Sequence, residues 1–205
     1  MSLLNNTIFF KSESKIENLP KDCLPEICFV GRSNVGKSTI INTLTNKKKL
    51  AFSSKLPGRT RLINLFKVND LKNYTLCYLV DLPGYGYASV SNNIKQNWTN
   101  ILNSYIHRNS ILCIVLILDI RRGLTDLDKL LINYINNSNC FKLVLINKID
   151  KLSHEKRISK IKNIKQQLIK LNLFDTLEFS STKKIGIDNT NQYLEKIILK
   201  KLNKI

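Results

Sequence analysis

Gly31-Arg32-Ser33-Asn34-Val35-Gly36-Lys37-Ser38 follows a short apolar run, Glu26–Val30, and opens a stretch, Ser38–Asn46, that reads as a helix. A loop of this spacing, set between a strand and a helix, is built to surround phosphates. The glycines allow a tight turn that aims backbone N–H groups inward, and the helix N-terminus adds its dipole. In that arrangement Lys37 bridges the β- and γ-phosphates and Ser38 ligates Mg2+. Arg32, Ser33, Asn34 and Val35 inside the loop, and Thr39 after it, complete the expected contacts.

Moving outward, apolar runs alternate with helical patterns. Leu62–Val68 and Tyr74–Val80 are joined by Asn69-Asp-Leu-Lys-Asn73, a hairpin turn by composition. Ile111–Leu118 and Phe141–Ile146 read as strands buried on both faces, and Thr176–Phe179 as a last short strand. Asn93–Arg108, Thr125–Asn136, Ser153–Leu171 and Ile187–Leu202 carry helical periodicity. Within Ser153–Leu171 the pattern puts Ile158, Ile161, Ile164, Leu168 and Leu171 on one face, with lysines opposite. The expectation is an α/β fold of three layers, the P-loop NTPase type: a mostly parallel sheet of about six strands, one antiparallel edge strand, and helices on both faces. Residues 1–22 are expected to form an extension on or beside the domain of residues 23–205, and Thr7–Phe10 either adds a strand or lies against the core.

Three further segments fall at strand ends. Asp81-Leu82-Pro83-Gly84 follows the run ending at Val80. The Asp81 carboxylate is expected to hold Mg2+ through a water, and Gly84 can bring its N–H against the γ-phosphate because no side chain intervenes. Asn147-Lys148-Ile149-Asp150 closes another buried strand. Asp150 can accept from N1–H and the 2-amino group of guanine; adenine offers neither donor and would leave the carboxylate unpaired. Asn147 is expected to tie this loop to the phosphate loop, and the Lys148 stem to cover the base. The competing reading is an ordinary strand-to-helix cap at Asp150 or Ser153. Phe179-Ser180-Ser181 ends the last strand, where a backbone N–H can meet guanine O6.

Pro57-Gly58-Arg59-Thr60 lies in a polar segment, Lys47 to Arg61, before the hairpin. Thr60 can bind Mg2+ through its hydroxyl and the γ-phosphate through its N–H, so loss of that phosphate would release the loop. Ser53 and Ser54 are weaker candidates for this role, and Gly58, Arg59, Arg61 and Leu62 join the expected contact set. Lys37, Thr60 and Gly84 are the candidate catalytic groups, and Ser38, Thr60 and Asp81 the candidate metal ligands.

The chain of 205 residues is 43% hydrophobic, enough for one domain with its own core. No stretch approaches about 18 uninterrupted apolar residues, and the N-terminus lacks the pattern of a secretory signal. Cys23, Cys28, Cys77, Cys113 and Cys140 form no Cys-x-x-Cys pair and read as small hydrophobes in a reducing cytoplasm. The net charge of +18, from 33 basic and 15 acidic residues, points to a polyanionic partner. Compositional drift in a Lys-, Asn- and Ile-rich chain is the other explanation.

The whole set resembles the EngB type of bacterial GTPase, within the TrmE–Era group. The resemblance rests on Gly31–Ser38, Gly58-Arg-Thr60 with Ile63-Asn64, Asp81-Leu-Pro-Gly-Tyr-Gly-Tyr87, Trp98, Asp119-x-Arg121, Asn147–Asp150 and Phe179–Ser181, and spans nearly the whole chain. It implies a monomeric, Mg2+-dependent GTPase that binds GTP and GDP, assists assembly of the large ribosomal subunit through ribosomal RNA or precursor particles, and is needed for normal cell division and septation. Asn147 stands where many members carry Thr, and Arg61 where many carry Gln. Tyr85 stands where Ras-like proteins place the Gln that orients the attacking water, so unassisted hydrolysis is expected at about 10⁻⁴ to 10⁻³ s⁻¹ at best. In potassium-activated relatives an Asn at the place of Asn34 coordinates K+, supplying positive charge beside the phosphates; alternatively Asn34 only braces the loop. The rival readings are a non-catalytic GTP-gated adaptor of the division machinery and a tRNA-modification or membrane GTPase. Arg121 and Arg122, with Lys47, Lys48, Lys49, Arg59, Arg61 and the tail lysines, are the candidate RNA contacts.

Overall fold

The computed structural model describes residues 2–52, 62–86, 102, 104–172 and 175–203. Its strands are β1 (Thr7–Glu13), β2 (Glu26–Gly31), β3 (Ile63–Asn69), β4 (Thr75–Asp81), β5 (Ile111–Asp119), β6 (Phe141–Asn147) and β7 (Asp175–Glu178). Its α-helices are α1 (Lys37–Leu44), α2 (Asp126–Asn136), α3 (His154–Lys170) and α4 (Ile187–Leu202), and residues 104–106 are also helical. One seven-stranded sheet runs in the order β1-β3-β4-β2-β5-β6-β7. No helix among the described residues is long and apolar enough to cross a membrane.

The expected α/β architecture is present, with one strand more than about six. The addition is β1, which pairs antiparallel with β3 from Thr7↔Val68 to Glu13↔Ile63 and covers the strand expected at the edge. β3 is antiparallel to β4 as well, whereas β4, β2, β5, β6 and β7 pair in parallel. The hairpin between β3 and β4 is closed by Asp70, whose Oδ1 accepts from the backbone N–H groups of Lys72 and Tyr74, each at 2.8 Å. Asn73 there adopts φ 65°, a left-handed turn conformation that asparagine tolerates.

Strands β5 and β6 are apolar on both faces because helices cover both. On one side Cys28, Leu116 and Val144 pack with Tyr105, Leu131, Ile132, Ile161 and Ile164. On the other, Phe29, Leu79, Val115 and Leu145 pack with Ile40, Ile41, Leu44, Leu194 and Ile198. Helix α3 buries Ile161, Ile164 and Leu168 as its periodicity predicts, but Ile158, expected on the same face, is 55% exposed. Cys28, Cys77 and Cys113 are buried free thiols, and burial pushes the Cys77 thiol up to about 12. Cys140 is half-buried and Cys23 exposed.

The end of the sheet away from the phosphate loop holds a charge that the apolar pattern conceals. Glu26, the first residue of β2, is buried. Its Oε1 accepts from Arg108 Nη2 at 2.6 Å, Arg108 Nε at 3.2 Å and Ser110 Oγ at 2.8 Å, and its Oε2 accepts from Tyr105. Arg108 also donates to the Pro20 carbonyl at 2.8 Å, so one carboxylate gathers the segment before β2 and the segment before β5. Glu26→Ala leaves the guanidinium without its counter-ion and the Tyr105 hydroxyl without its acceptor. Removing one partner of a buried ion pair costs about 3–5 kcal/mol, so urea unfolding should show a loss of that size.

Candidate functional site

The phosphate loop runs from the end of β2 into α1. Gly36, the N-cap of α1, has φ 106° and offers no side chain to cap the helix, leaving its first-turn amides for a ligand. A Cβ at Gly36 would come within 2.8 Å of Asn147 Nδ2. Asn147 uses that nitrogen to donate to the Val35 carbonyl at 2.8 Å, so the two predicted loops are joined in the buried interior. Arg32 and Ser33 lie against the segment after β4: Ser33 N–H donates to the Tyr85 carbonyl at 2.8 Å. Asn34 adopts φ 62° at the exposed crest of the loop. Thr39 is exposed on α1, with the Thr43 hydroxyl donating to its carbonyl at 2.7 Å.

Asp81, at the end of β4, is buried, and its Oδ2 accepts from Ser38 Oγ at 2.7 Å. Its Oδ1 is equally buried and has no hydrogen-bond partner among the described residues. Burial raises the Asp81 carboxyl above the usual range, against the opposing pull of Lys37 and the Ser38 hydroxyl. Burial also lowers the Lys37 ammonium, against the charge of Asp81. A polyanion would complement Lys37 and the α1 amides, and a divalent cation would complement Asp81 and Ser38; the orphaned oxygen fits a hard, oxygen-seeking ion such as Mg2+ or its bound water. Leu82 and Pro83 are buried beneath this point. Gly84 passes so close to the loop that a Cβ would meet Lys37 Nζ and Ser33 Cα at 2.9 Å.

Tyr85 turns inward. It is 4% exposed, and its hydroxyl donates to Asp128 Oδ1 in the first turn of α2. Asp128 also closes a capping box with Thr125, accepting the Thr125 N–H at 2.7 Å through Oδ2. Burial and the Asp128 carboxylate both raise the Tyr85 hydroxyl, so it remains a neutral donor committed to Asp128.

On the other side of the phosphate loop lies the predicted base motif. Lys148 adopts φ 63°, and its Nζ donates to the Asn34 carbonyl at 2.6 Å. Ile149 is buried and donates its N–H to the Phe179 carbonyl at 3.4 Å, joining the base motif to the Phe179–Ser181 segment. Asp150 Oδ1 accepts from Ser180 Oγ at 2.6 Å, and its Oδ2 lies 3.2 Å from Lys151 Nζ. The Ser180 hydroxyl, with help from Lys151, keeps the Asp150 carboxyl below its ordinary range and therefore charged. The Ser180 N–H donates to the Ile185 carbonyl at 3.0 Å, which leaves Ser181 as the candidate amide for a base oxygen. Ser153 occupies the N-cap of α3, as the alternative reading has it, though without a side-chain cap bond, while Asp150 is engaged by Ser180.

The sequence reading gave no role to Asp119 and did not pair it with Arg121. Asp119 ends β5 directly beside Asn147 of β6. Its carboxylate accepts from Arg121 Nε at 2.9 Å and Nη2 at 2.6 Å, and lies 3.1 Å from Lys148 Nζ. Burial works against its charge, but Arg121 and Lys148 outweigh it and draw the carboxyl down to about 2. Arg121, expected to contact RNA, also pairs with Asp119; it and Arg122 beside it are both exposed. The sequence signal was the position of Asp119 at a strand end neighbouring Asn147. Pro57, Gly58, Arg59, Thr60, Arg61, Ser53, Ser54, Tyr87 and Trp98 lie outside the described residues, while Leu62 is 38% exposed just before β3.

Residues 26–148 match the family described as "50S ribosome-binding GTPase". A "Probable GTP-binding protein EngB" of Bordetella pertussis is 45% identical over 205 residues, covering 98% of this chain and 99% of its own length. The protein of that description from Salmonella typhimurium is 45% identical over 191 residues, covering 92% of this chain and 89% of its own. Among solved structures, a probable GTP-binding protein engB superposes with a TM-score of 0.63 at 24% identity, covering 85% of this chain and 99% of that one. Era in complex with MgGDPNP and nucleotides 1506-1542 of 16S ribosomal RNA superposes with a TM-score of 0.66 at 25% identity, over 85% of this chain and 56% of that one.

Proposed function

The chain belongs to the 50S ribosome-binding GTPase family, among its EngB-type GTP-binding proteins, and from that premise we propose that it is a nucleotide-gated factor in large-subunit assembly. It binds GTP and hydrolyses it to GDP. GTP loading lets it dock on the large ribosomal subunit or its precursor, and hydrolysis releases it. The septation requirement implied by the resemblance belongs to the same switch. Residues 23–205 act as the GTPase domain, with residues 1–22 as its extension.

The observation that carries this reading is the buried Oδ1 of Asp81, which has no partner among the described residues, beside Lys37 and Ser38. It is a charge arrangement completed by a metal-bound polyphosphate and costly without one. Gly31, Arg32, Ser33, Asn34, Val35, Gly36, Lys37, Ser38 and Thr39 hold the phosphates; Ser38 and Thr60 would hold Mg2+ directly and Asp81 through a water. Bound there, Mg2+ offsets phosphate charge. Lys37 and the α1 amides stabilise charge on the phosphate oxygens, and Gly84 brings an N–H to the terminal one. Asp150 reads the base from beneath Ser180, Ser181 supplies the amide for O6, and Lys148 covers the ring.

Docking is tested by pelleting large-subunit precursor particles with the protein in its GTP-loaded and GDP-loaded states. Retention that favours the GTP form, and that weakens as salt rises, is expected; equal retention in both states removes the gate. For the base, GDP should bind at least about 10³-fold more tightly than ADP. Asp150→Asn should shift preference toward xanthine nucleotides, as competition titrations will read. Tyr85, held by Asp128, cannot aim the attacking water in this arrangement, so hydrolysis needs an added charge or a partner. K+ at Asn34 is the proposed charge: turnover should be faster in KCl than in NaCl of equal ionic strength, and Asn34→Ala should abolish the difference. Equal rates in the two salts would leave the ribosomal particle as the activator.

A further inference from the structure

The base-covering lysine does not stand by itself. Lys148 Nζ lies between two oxygens from different elements: the Asn34 carbonyl at 2.6 Å, on the phosphate loop, and Asp119 Oδ2 at 3.1 Å, at the end of β5. The Asp119 side chain is only 4% exposed, and three donors from Arg121 hold it: the backbone N–H at 3.1 Å, Nε at 2.9 Å and Nη2 at 2.6 Å. Its own carbonyl accepts the N–H groups of Arg122 at 3.0 Å and Gly123 at 3.1 Å, which turns the chain tightly after β5 and folds Arg121 back over the carboxylate. The next residue, Ile120, donates its N–H to the Asn147 carbonyl at 3.0 Å, so this turn is stitched to the base motif by backbone as well as by charge.

Such a carboxylate has two jobs open to it. It could simply satisfy Arg121, or it could hold the lysine. A lysine ammonium carries three donors on a flexible four-carbon stem, and without a fixed counter-ion the stem samples many rotamers. Two fixed acceptors define where the ammonium sits, and with it the path of the stem. We propose that Asp119 is a positioning residue for guanine nucleotide binding: clamped by Arg121, it holds the Lys148 ammonium against the phosphate loop and so keeps the Lys148 stem over the base. The inference rests on the reading of Lys148 as the cover of the base. Arg121 becomes the residue that orders the carboxylate, and guanine discrimination stays with Asp150.

The test is a double-mutant cycle on the full chain, Asp119→Asn and Lys148→Met singly and together, read as the release rate of a fluorescent GDP analogue. Lys148→Met keeps an apolar stem over the base and removes only the ammonium. A hydrogen bond to a charged group supports about a tenfold or larger effect, so Asp119→Asn should speed GDP release by that factor. In the Lys148→Met background the same change should add less than about twofold, because the group through which it acts is gone. Arg121→Met, which leaves both other residues in place, should speed release several-fold in the native background and not in Lys148→Met. Preference for GDP over ADP should survive in every variant. A release rate of Asp119→Asn equal to that of the native chain, or a factor undiminished in Lys148→Met, overturns the role of Asp119 while the nucleotide assignment stands. A native chain that holds ADP as well as GDP overturns the assignment itself.

Discussion

The amide of Asn147 reaches the carbonyl of Val35 across 2.8 Å of buried interior, and both halves of the site depend on that bond. The donor ends β6; the acceptor lies inside the loop between β2 and α1. Val35 and Ile149 seat their loops in two separate hydrophobic clusters, so apolar packing anchors each loop. The bond makes their separation a property of the sheet: once β2, β5 and β6 are in register, the phosphate and base ends stand at a fixed spacing. Gly36 is needed at the crossing because a Cβ there would meet the same nitrogen. A buried, neutral hydrogen bond contributes only about 1 kcal/mol net. Its importance is geometric, because breaking it would leave a buried carbonyl and a buried amide each without a partner.

Around that crossing the charges are arranged in two groups of different character, a pair and a trio. Asp81 and Lys37 face each other incompletely, each pushed by burial toward its neutral form. Asp119, Arg121 and Lys148 are complete, with every carboxylate oxygen engaged. The incomplete pair marks where ligand charge must enter; the complete trio marks scaffold. Perturbed groups near a cleft belong to either kind, and unsatisfied oxygens separate the two here.

Much of this was legible in the sequence because it is local. Gly31–Ser38, Asp81–Gly84 and Asn147–Asp150 each carry their chemistry within a few residues, and the alternation of apolar runs and helices fixed the order in which they meet. What escaped is what depends on distant partners. Thr7–Phe10 could add a strand or lie against the core until β3 was seen to offer it an edge. Ile158 fits the helical stripe of α3, yet it is left 55% exposed. Glu26 looked like the polar start of an apolar strand, since its partners lie 79 to 84 positions later. Arg121 is a surface cation, but nothing in the order of residues says that the chain also folds it back over Asp119. The Tyr85 hydroxyl could be excluded from the work of a glutamine, but its place on Asp128 required the position of α2.

The Glu26 cluster also carries a consequence for the order of events at synthesis. The carboxylate leaves the ribosome well before Tyr105, Arg108 and Ser110, the last of them 84 positions away. At about 5–20 residues per second, that interval is roughly 4 to 17 s. Through it β2 has a charged end with no counter-ion, and burying that end alone would cost several kcal/mol. The hairpin of β3 and β4 can close meanwhile, because its contacts are local. The strand that presents the phosphate loop therefore locks only after the segment leading into β5 has emerged, and the nascent chain acquires a nucleotide-binding face as a late step rather than an early one.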